Sequence, residues 1–141
     1  MDRAILGSIS GRAIELIILK TTKQKVMITN EMVKVFVENE EIEWEQVDKG
    51  LRRKIMAYDE RLMIVKVDFE TGAIGSLHNH YHSQISHVES GVFEIEINGE
   101  KKILKAGDAF YAPPNAMHGA VCLEKGMLID VFSPMREDFI K

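Results

Sequence analysis

The sequence predicts an all-β fold in which one domain forms a closed barrel or sandwich. From residue 51 onward, short runs of strand-forming residues alternate with turn residues, as is typical of such folds. The run Val92–Ile97 alternates apolar residues with glutamates and is followed by Asn98-Gly99, the dipeptide most typical of a two-residue hairpin turn. The length of 141 residues suits one domain with one core.

The elements follow in order along the chain. We expect turns at 58–60, 98–99 and 106–108, and strands at 61–69, 92–97, 101–104 and 127–132. Pro113-Pro114-Asn115 excludes a central strand and indicates a loop just before His118, because proline cannot donate a backbone hydrogen bond. In this part of the chain, only the short tail 135–141 could form a helical turn.

Composition excludes several classes of protein. A net charge of −4 argues against a broad cationic surface, and therefore against nucleic-acid binding. The single cysteine, Cys122, excludes an intrachain disulfide and suits a reducing compartment, where we expect it to be a small buried residue. The cysteine usage therefore predicts a cytoplasmic protein. No segment approaches the roughly 20 apolar residues of a membrane span, so we expect no membrane partner.

The first 31 residues differ in charge from the rest of the chain. They carry more basic than acidic residues, whereas residues 32–141 are acidic overall. We treat residues 1–31 as an N-terminal extension, either an arm of the protein or a segment upstream of a start at Met27 or Met32. Residues 32–141 form the predicted domain.

Histidines are clustered in a way that predicts a metal site. All five lie between residues 78 and 118, and imidazole is the commonest transition-metal ligand in proteins. His78 and His80 would share one face of a strand, because side chains i and i+2 point the same way. Gln84 would lie in the next strand and His118 in a later one. We predict these four ligands for a divalent transition metal, for which Zn, Ni, Mn and Fe(II) all fit.

The glycines around these residues carry a family resemblance. The segment 72–91 resembles the first conserved motif of the cupin family, with Gln84 where glutamate is commoner. The segment 107–118 resembles the second motif, with Asn115 where glycine is usual, and Cys122 stands where asparagine is usual. The resemblance implies a single-domain cupin, a double-stranded β-helix (jelly-roll) barrel with a divalent metal in its mouth.

A closer resemblance lies outside the two motifs. It is carried by Trp44 and by the segments 52–58, 72–75, 107–111 and 130–139, and it covers roughly residues 32–141. These segments are similar to pectin-degradation cupins of the KdgF type, which are unsaturated pyranuronate lyases. That family opens 4,5-unsaturated uronates from pectin or alginate breakdown into linear keto sugars. The resemblance implies a small-molecule uronate substrate, and small cupins are often homodimers.

The same resemblance implies roles for three residues near the C-terminus. Asp130 would transfer the proton, Arg136 would bind a carboxylate or sugar oxygen, and Phe132 would form a wall of the pocket. Asp130 and Phe132 are two residues apart, so they share one face of the last strand.

Two other functions stay open at this stage. A metal-dependent cupin dioxygenase would need Fe(II) and oxygen, and the uncharged Gln84 and the tail from Asp130 to Arg136 argue against it. A sugar-binding cupin without activity would usually be fused to a DNA-binding domain, and residues 1–31 are too few for a helix-turn-helix unit.

Five further residues have weaker assignments. We expect His82 at the rim of the pocket, His87 on the outer surface, and Tyr111 packed in the barrel. Arg52 and Arg53 alternate faces, so at most one of them can enter the barrel.

Overall fold

The computed structural model describes residues 34–140, and the predictions for residues 1–31, including the alternative starts, lie outside the described residues. From Glu38 onward the chain forms one compact unit. Its eight strands are β1 (Glu45–Asp48), β2 (Leu51–Asp59), β3 (Leu62–Phe69), β4 (Ile74–His78), β5 (Ser83–Ile97), β6 (Glu100–Lys105), β7 (Ala109–Ala112) and β8 (His118–Ser133). The only helical segments among the described residues are two 3₁₀ turns, Asn39–Glu41 and Glu137–Phe139.

The strands form an antiparallel sheet whose hub is the pair β5 and β8. The order is β1-β2-β3-β8-β5-β6, with β4 paired to β8 and β7 paired to β5. The two long strands therefore run through both layers of the molecule, β8 pairing with β3 and β5 along one half and with β4 and β5 along the other. This architecture confirms the predicted all-β jelly-roll fold of the cupins. None of the helical segments in residues 34–140 is long and apolar enough to cross a membrane.

The two long strands bend together where their glycines meet. The register between β5 and β8 shifts between Val88 and Phe93, in the segment that contains Gly91. Gly91 has a positive φ of 84°, and a Cβ there would lie 2.5 Å from the Cα of Gly126. A Cβ on Gly126 would lie 2.1 Å from the carbonyl oxygen of Ser90. Only residues without a side chain permit this close approach of the two backbones.

Two turns adopt the left-handed backbone that their residues favour. Asn98 and Gly99 have φ values of 50° and 88°, which confirms the predicted hairpin turn between β5 and β6. Asn115, at the position where cupins usually have glycine, has a φ of 69°. Asparagine is among the few residues other than glycine that tolerate this conformation, which explains the substitution.

The hydrophobic core lies between the two layers, and at one end it borders a group of buried polar side chains. Its main cluster includes Phe69 and Phe93, which meet edge to face with ring centroids 5.0 Å apart. Cys122 is also buried in this cluster, as predicted. Alternate residues of β8 are buried on either side of an exposed stretch at 123–125, and Asp130 and Phe132 belong to that inward row. The last strand therefore passes from apolar core to site without changing its alternation.

One prediction about the barrel interior is wrong. Tyr111 is 54% exposed and pairs across the strands with Ile85, which is also 54% exposed. Both side chains lie on the outer face because the inward positions of β5 at this level are occupied by Gln84 and Ser86.

Replacing Gly91 with alanine should destabilise the protein far more than the same change at Gly99. Both glycines have positive φ, but a Cβ at Gly99 meets nothing within 4 Å. We expect Gly99→Ala to cost about 1–2 kcal/mol from backbone strain alone. Gly91→Ala adds a clash with backbone atoms and should cost about 3 kcal/mol or more. Urea unfolding of the metal-free protein measures both, and equal losses would contradict the close approach of β5 and β8.

Candidate metal centre

Four predicted ligands meet at one end of the barrel. His78 is the last residue of β4 and His118 is the first of β8, and the two are direct partners across the strands. Gln84 is the second residue of β5 and is buried. His80 lies in the connection between β4 and β5, so the expectation that His78 and His80 share a strand face is wrong. The connection turns His80 back toward the cluster after the strand has ended.

The ligand atoms converge closely. The nearest ring nitrogens of His78, His80 and His118 all lie within 4.8 Å of one another. The Gln84 Oε1 atom lies 3.0 Å from Nε2 of His80 and 3.0 Å from Nε2 of His118. The structure thus brings together all four side chains that the sequence singled out.

Backbone carbonyls fix how each imidazole is protonated. The Nδ1 atoms of the three histidines lie 2.8, 3.2 and 2.9 Å from the carbonyl oxygens of Ser76, His82 and Ala116, respectively. A carbonyl oxygen can only accept a hydrogen bond, so each Nδ1 must carry the proton that it donates. In a neutral imidazole the Nε2 atom then presents a lone pair, which is the arrangement required of a metal ligand.

The contacts of Gln84 favour a cation at the centre. Burial lowers the pKa of His80 from 6.5 to about 4, with the Arg136 guanidinium contributing, and burial also lowers the pKa of His118. Both rings are therefore neutral at neutral pH, and their Nε2 lone pairs face the amide oxygen of Gln84 at hydrogen-bond distance. The two Nε2 atoms and the Gln84 Oε1 atom are three acceptors with no proton between them, so they repel one another. A positive ion among them would bind all three. Three imidazoles and an amide suit a divalent transition metal.

A hydrogen-bonded chain joins Gln84 to the predicted acid. The Gln84 Nε2 group donates to the Ser86 Oγ atom over 2.9 Å, and the Ser86 hydroxyl donates to Asp130 Oδ1 over 2.6 Å. Ser86 and Asp130 are partners across β5 and β8. Ser86 was not singled out from the sequence, although its position two residues after Gln84 places it on the same strand face.

Asp130 is buried, as its position on the inward row predicts. Burial raises the pKa of its carboxyl from 3.8 to about 6, and the Ser86 hydrogen bond and the Arg136 charge oppose that increase. A carboxyl with a pKa near 6 can both accept and return a proton around neutral pH.

Arg136 is buried beside the cluster. Its guanidinium lies over the rings of Phe132 and Phe139, 5.1 and 4.2 Å from their centroids. Its Nε and Nη2 atoms donate to the two carboxylate oxygens of Asp138 over 3.0 and 2.8 Å. Packing and this fork hold the guanidinium in place, and its charge acts on His80, His118 and Asp130.

Phe132 lies between the histidines and the tail. Its ring is 5.8 Å from that of His80 and 5.7 Å from that of Phe139, both at steep angles. It is 2% exposed and packs with Met63 and Val65. It therefore forms part of the wall beside the histidines and part of the core.

The expected position of His82 at the rim is wrong. His82 is 3% exposed, with its Nε2 atom 3.0 Å from the Glu137 carboxylate. The ring of Tyr81 stacks on His82, and the Tyr81 hydroxyl donates to the same carboxylate over 3.3 Å. These contacts fasten the C-terminal 3₁₀ turn over His82, and sequence reasoning missed them because Glu137 lies more than fifty residues away.

His87 and the two arginines of β2 follow the expected alternation. His87 lies on the outer surface, as predicted, with a half-exposed side chain. Arg52 is the more exposed arginine and pairs with Asp68. Arg53 is largely covered and lies 3.8 Å from the ring centroid of Phe139, next to the tail.

Known proteins with similar sequences and structures now identify the family. A family model described as a cupin domain matches residues 65–132. The pectin degradation protein KdgF of Dickeya dadantii (strain 3937) is 51% identical over 104 residues, which cover 72% of this chain and 94% of that protein. The chain is a cupin of the KdgF type.

Two solved structures agree with this assignment. The structure of KdgF from Halomonas sp. superposes with a TM-score of 0.74 at 47% identity, covering 77% of this chain and 100% of that one. An RmlC-like cupin from Shewanella frigidimarina NCIMB 400 superposes with a TM-score of 0.75 at 45% identity, covering 77% and 97%. The family resemblance read from the sequence is therefore confirmed for this KdgF-type cupin.

Replacing His118 with alanine should weaken metal binding by more than about 100-fold, because even outer partners of metal ligands contribute 10- to 100-fold. Competition with a chromophoric chelator measures the affinity. His87→Ala removes an exposed histidine from the strand that carries Gln84 and is the matched control, with wild-type affinity expected. Equal affinities of wild type and His118→Ala would remove His118 from the ligand set.

Replacing Asp130 with asparagine should stabilise the metal-free protein at neutral pH. The carboxyl has a pKa of about 6 in the folded protein, above its ordinary 3.8, so folding favours its protonated form. Its contribution to stability is therefore full below about pH 4 and falls as the pH rises through 6. At pH 7.5, Asp130→Asn should raise the free energy of unfolding by about 1–3 kcal/mol, and the gain should largely vanish at pH 4.5.

Asp138→Asn is the control with the opposite sign. The fork from Arg136 lowers the pKa of Asp138, so its ionised form is favoured by folding and its loss should destabilise the protein at pH 7.5. Urea unfolding at both pH values measures these changes, and a less stable Asp130→Asn variant at pH 7.5 would contradict the account of Asp130.

Proposed function

We propose that this cupin opens the ring of 4,5-unsaturated uronate monosaccharides, in a metal-dependent reaction that gives linear keto-deoxyuronates. The main support is the buried Asp130 carboxyl, tied through Ser86 to the glutamine of the histidine cluster and facing the charge of Arg136. The similarity to a pectin degradation protein supports a substrate from pectin or related polymers.

The proposed substrate needs one proton moved from oxygen to carbon. Its ring has a double bond between C4 and C5, next to the carboxylate. Loss of the proton from the C1 hydroxyl breaks the bond between C1 and the ring oxygen, giving an aldehyde at C1 and an enolate at C5. A proton delivered to C4 then converts the enolate into a ketone, so the reaction is an isomerisation and needs no further reactant.

Asp130 has the properties to move that proton. At neutral pH its carboxyl is mostly ionised and can accept the C1 hydroxyl proton, and a pKa near 6 lets it return the proton to C4. Its Oδ1 atom receives the Ser86 hydroxyl hydrogen, which leaves Oδ2 for the substrate.

Arg136 and Phe132 suit the binding of an anionic ring. The Arg136 fork to Asp138 uses Nε and Nη2, so hydrogens on Nη1 stay available for a substrate carboxylate or hydroxyl. Phe132 supplies an apolar wall between the histidines and the tail. The two side chains would orient the uronate over Asp130.

His78, His80, Gln84 and His118 would hold the metal. A divalent ion there would supply an electrophile for the substrate carboxylate and for the charge that develops on the C5 oxygen. All four ligands are uncharged, so they leave the ion its full charge, which favours anionic ligands. Zn, Ni, Mn and Fe(II) remain candidates.

The two alternative functions predict different measurements. A dioxygenase would consume oxygen, and a sugar-binding cupin would bind the uronate without converting it. The homodimer expected of a small cupin and the cytoplasmic location expected from the composition stay predictions, as does the division of the chain at residue 32.

The ring-opening reaction can be followed by loss of the absorbance band of the conjugated double bond. We expect metal-loaded protein to accelerate this loss for freshly prepared 4,5-unsaturated galacturonate, relative to protein stripped with chelator. Activity should return when metal is restored. No acceleration above the spontaneous rate would overturn the proposed reaction, and oxygen uptake would then test the dioxygenase.

The Asp130→Asn variant tests the proposed proton transfer within the same assay. It should retain the metal and the fold yet lose turnover by about 10²–10⁴-fold, since general acid–base catalysis contributes that much. Full activity in this variant would exclude Asp130 as the acid and base.

A further inference from the structure

An amide ligand poses a problem that a carboxylate ligand does not. The two oxygens of glutamate are both acceptors, so either can bind a metal, whereas glutamine has one oxygen and one NH₂ group of nearly the same shape. If the Gln84 amide turned by half a rotation, it would present two hydrogens to the ion. Some neighbour must therefore hold the NH₂ group on the far side.

Ser86 is in the position to do this. Its oxygen accepts from the Gln84 NH₂ group over 2.9 Å, and its hydroxyl hydrogen goes to Asp130 Oδ1 over 2.6 Å. Because the ionised carboxylate can only accept, the Ser86 hydrogen is committed to Asp130, and the serine oxygen can then only accept from Gln84. The carboxylate of Asp130 thus sets the orientation of the Ser86 hydroxyl, and the hydroxyl sets the orientation of the Gln84 amide.

Resting on the function proposed above, we propose that Ser86 is a positioning residue that orients the Gln84 amide with its oxygen toward the metal and holds Asp130 by Oδ1. Ser86 is fully buried, so no water can take over either hydrogen bond without the site opening. Its place is set by the strand register, since Ser86 is the direct partner of Asp130 and lies two residues from Gln84.

An orienting role of Ser86 and a purely space-filling role predict different effects of its replacement on metal affinity. A serine that only filled space would affect metal binding equally whichever residue occupied position 84. A serine that orients an amide matters only while position 84 is an amide. The comparison between Gln84 and a Gln84→Glu background therefore separates the two roles.

We would measure Zn²⁺ affinity by chelator competition in wild type, Ser86→Ala, Gln84→Glu and the double variant. In the wild-type background, Ser86→Ala should weaken Zn²⁺ binding by about 10-fold or more, as expected for an outer partner of a ligand. In the Gln84→Glu background the same change should alter affinity by no more than about threefold, because either carboxylate oxygen can bind. Equal weakening in both backgrounds would overturn the proposal.

A second pair of variants keeps the test independent of the volume lost in Ser86→Ala. Threonine and valine have nearly the same shape, but only threonine keeps a hydroxyl. We expect Ser86→Thr to bind Zn²⁺ more tightly than Ser86→Val by about 10-fold. Ser86→Val should also be the less stable metal-free protein, because it leaves two buried hydrogen-bond partners unsatisfied. Equal affinities of this pair would exclude the hydroxyl as the orienting group.

Ser83→Ala is the control on the same strand. Ser83 precedes Gln84 and pairs with Ser133, away from the amide chain, so wild-type affinity is expected. Zn²⁺ affinity is measured without substrate, so these outcomes hold whether or not the protein opens uronates. Absence of turnover with the predicted affinity pattern would overturn the reaction and leave the role of Ser86 at Gln84 intact.

Discussion

The antiparallel register between β5 and β8 is the constraint on which the site depends. It pairs Gln84 with Phe132 and Ser86 with Asp130, so the residues proposed as metal ligand, pocket wall and acid lie on one inward face. A shift of either strand by one residue would turn the two side chains of that strand outward, because strand side chains alternate with a period of two. The register is held on one side by the buried apolar row of β8 and on the other by the contact of Gly91 with Gly126, where a side chain would not fit.

Burial of ionisable groups beside this pair of strands lowers the stability of the fold. Asp130 is buried where its ionised form is disfavoured, and the nearby imidazoles are kept neutral by the same burial. The Arg136 cation partly offsets the effect of burial on Asp130 and adds to its effect on the two imidazoles. It is itself held by two aromatic rings and the Asp138 carboxylate. Groups that are unfavourable for folding are thus collected at the place where a metal and an anionic ligand would make them favourable.

The C-terminal tail completes the site from a distance in sequence. Glu137 binds His82 and Tyr81, and Asp138 holds Arg136, so neighbouring carboxylates of one 3₁₀ turn fasten the tail and position its guanidinium. Strand alternation could have identified Ser86, because it follows Gln84 by two residues. The contacts of His82 could not have been found in that way, since no local pattern links the β4–β5 connection to the tail.

The sequence by itself determined the all-β fold class, the hairpin at Asn98-Gly99, the histidines predicted as metal ligands and the shared face of Asp130 and Phe132. Each of these follows from local rules, namely the alternation of strands, the φ values that glycine and asparagine tolerate, and the chemistry of imidazole. Only the tertiary structure decided that His80 reaches the cluster from a connection, that His82 is buried under the tail and that Tyr111 faces outward. Those placements depend on which strands become neighbours and on what already fills the interior, and packing between distant segments sets both.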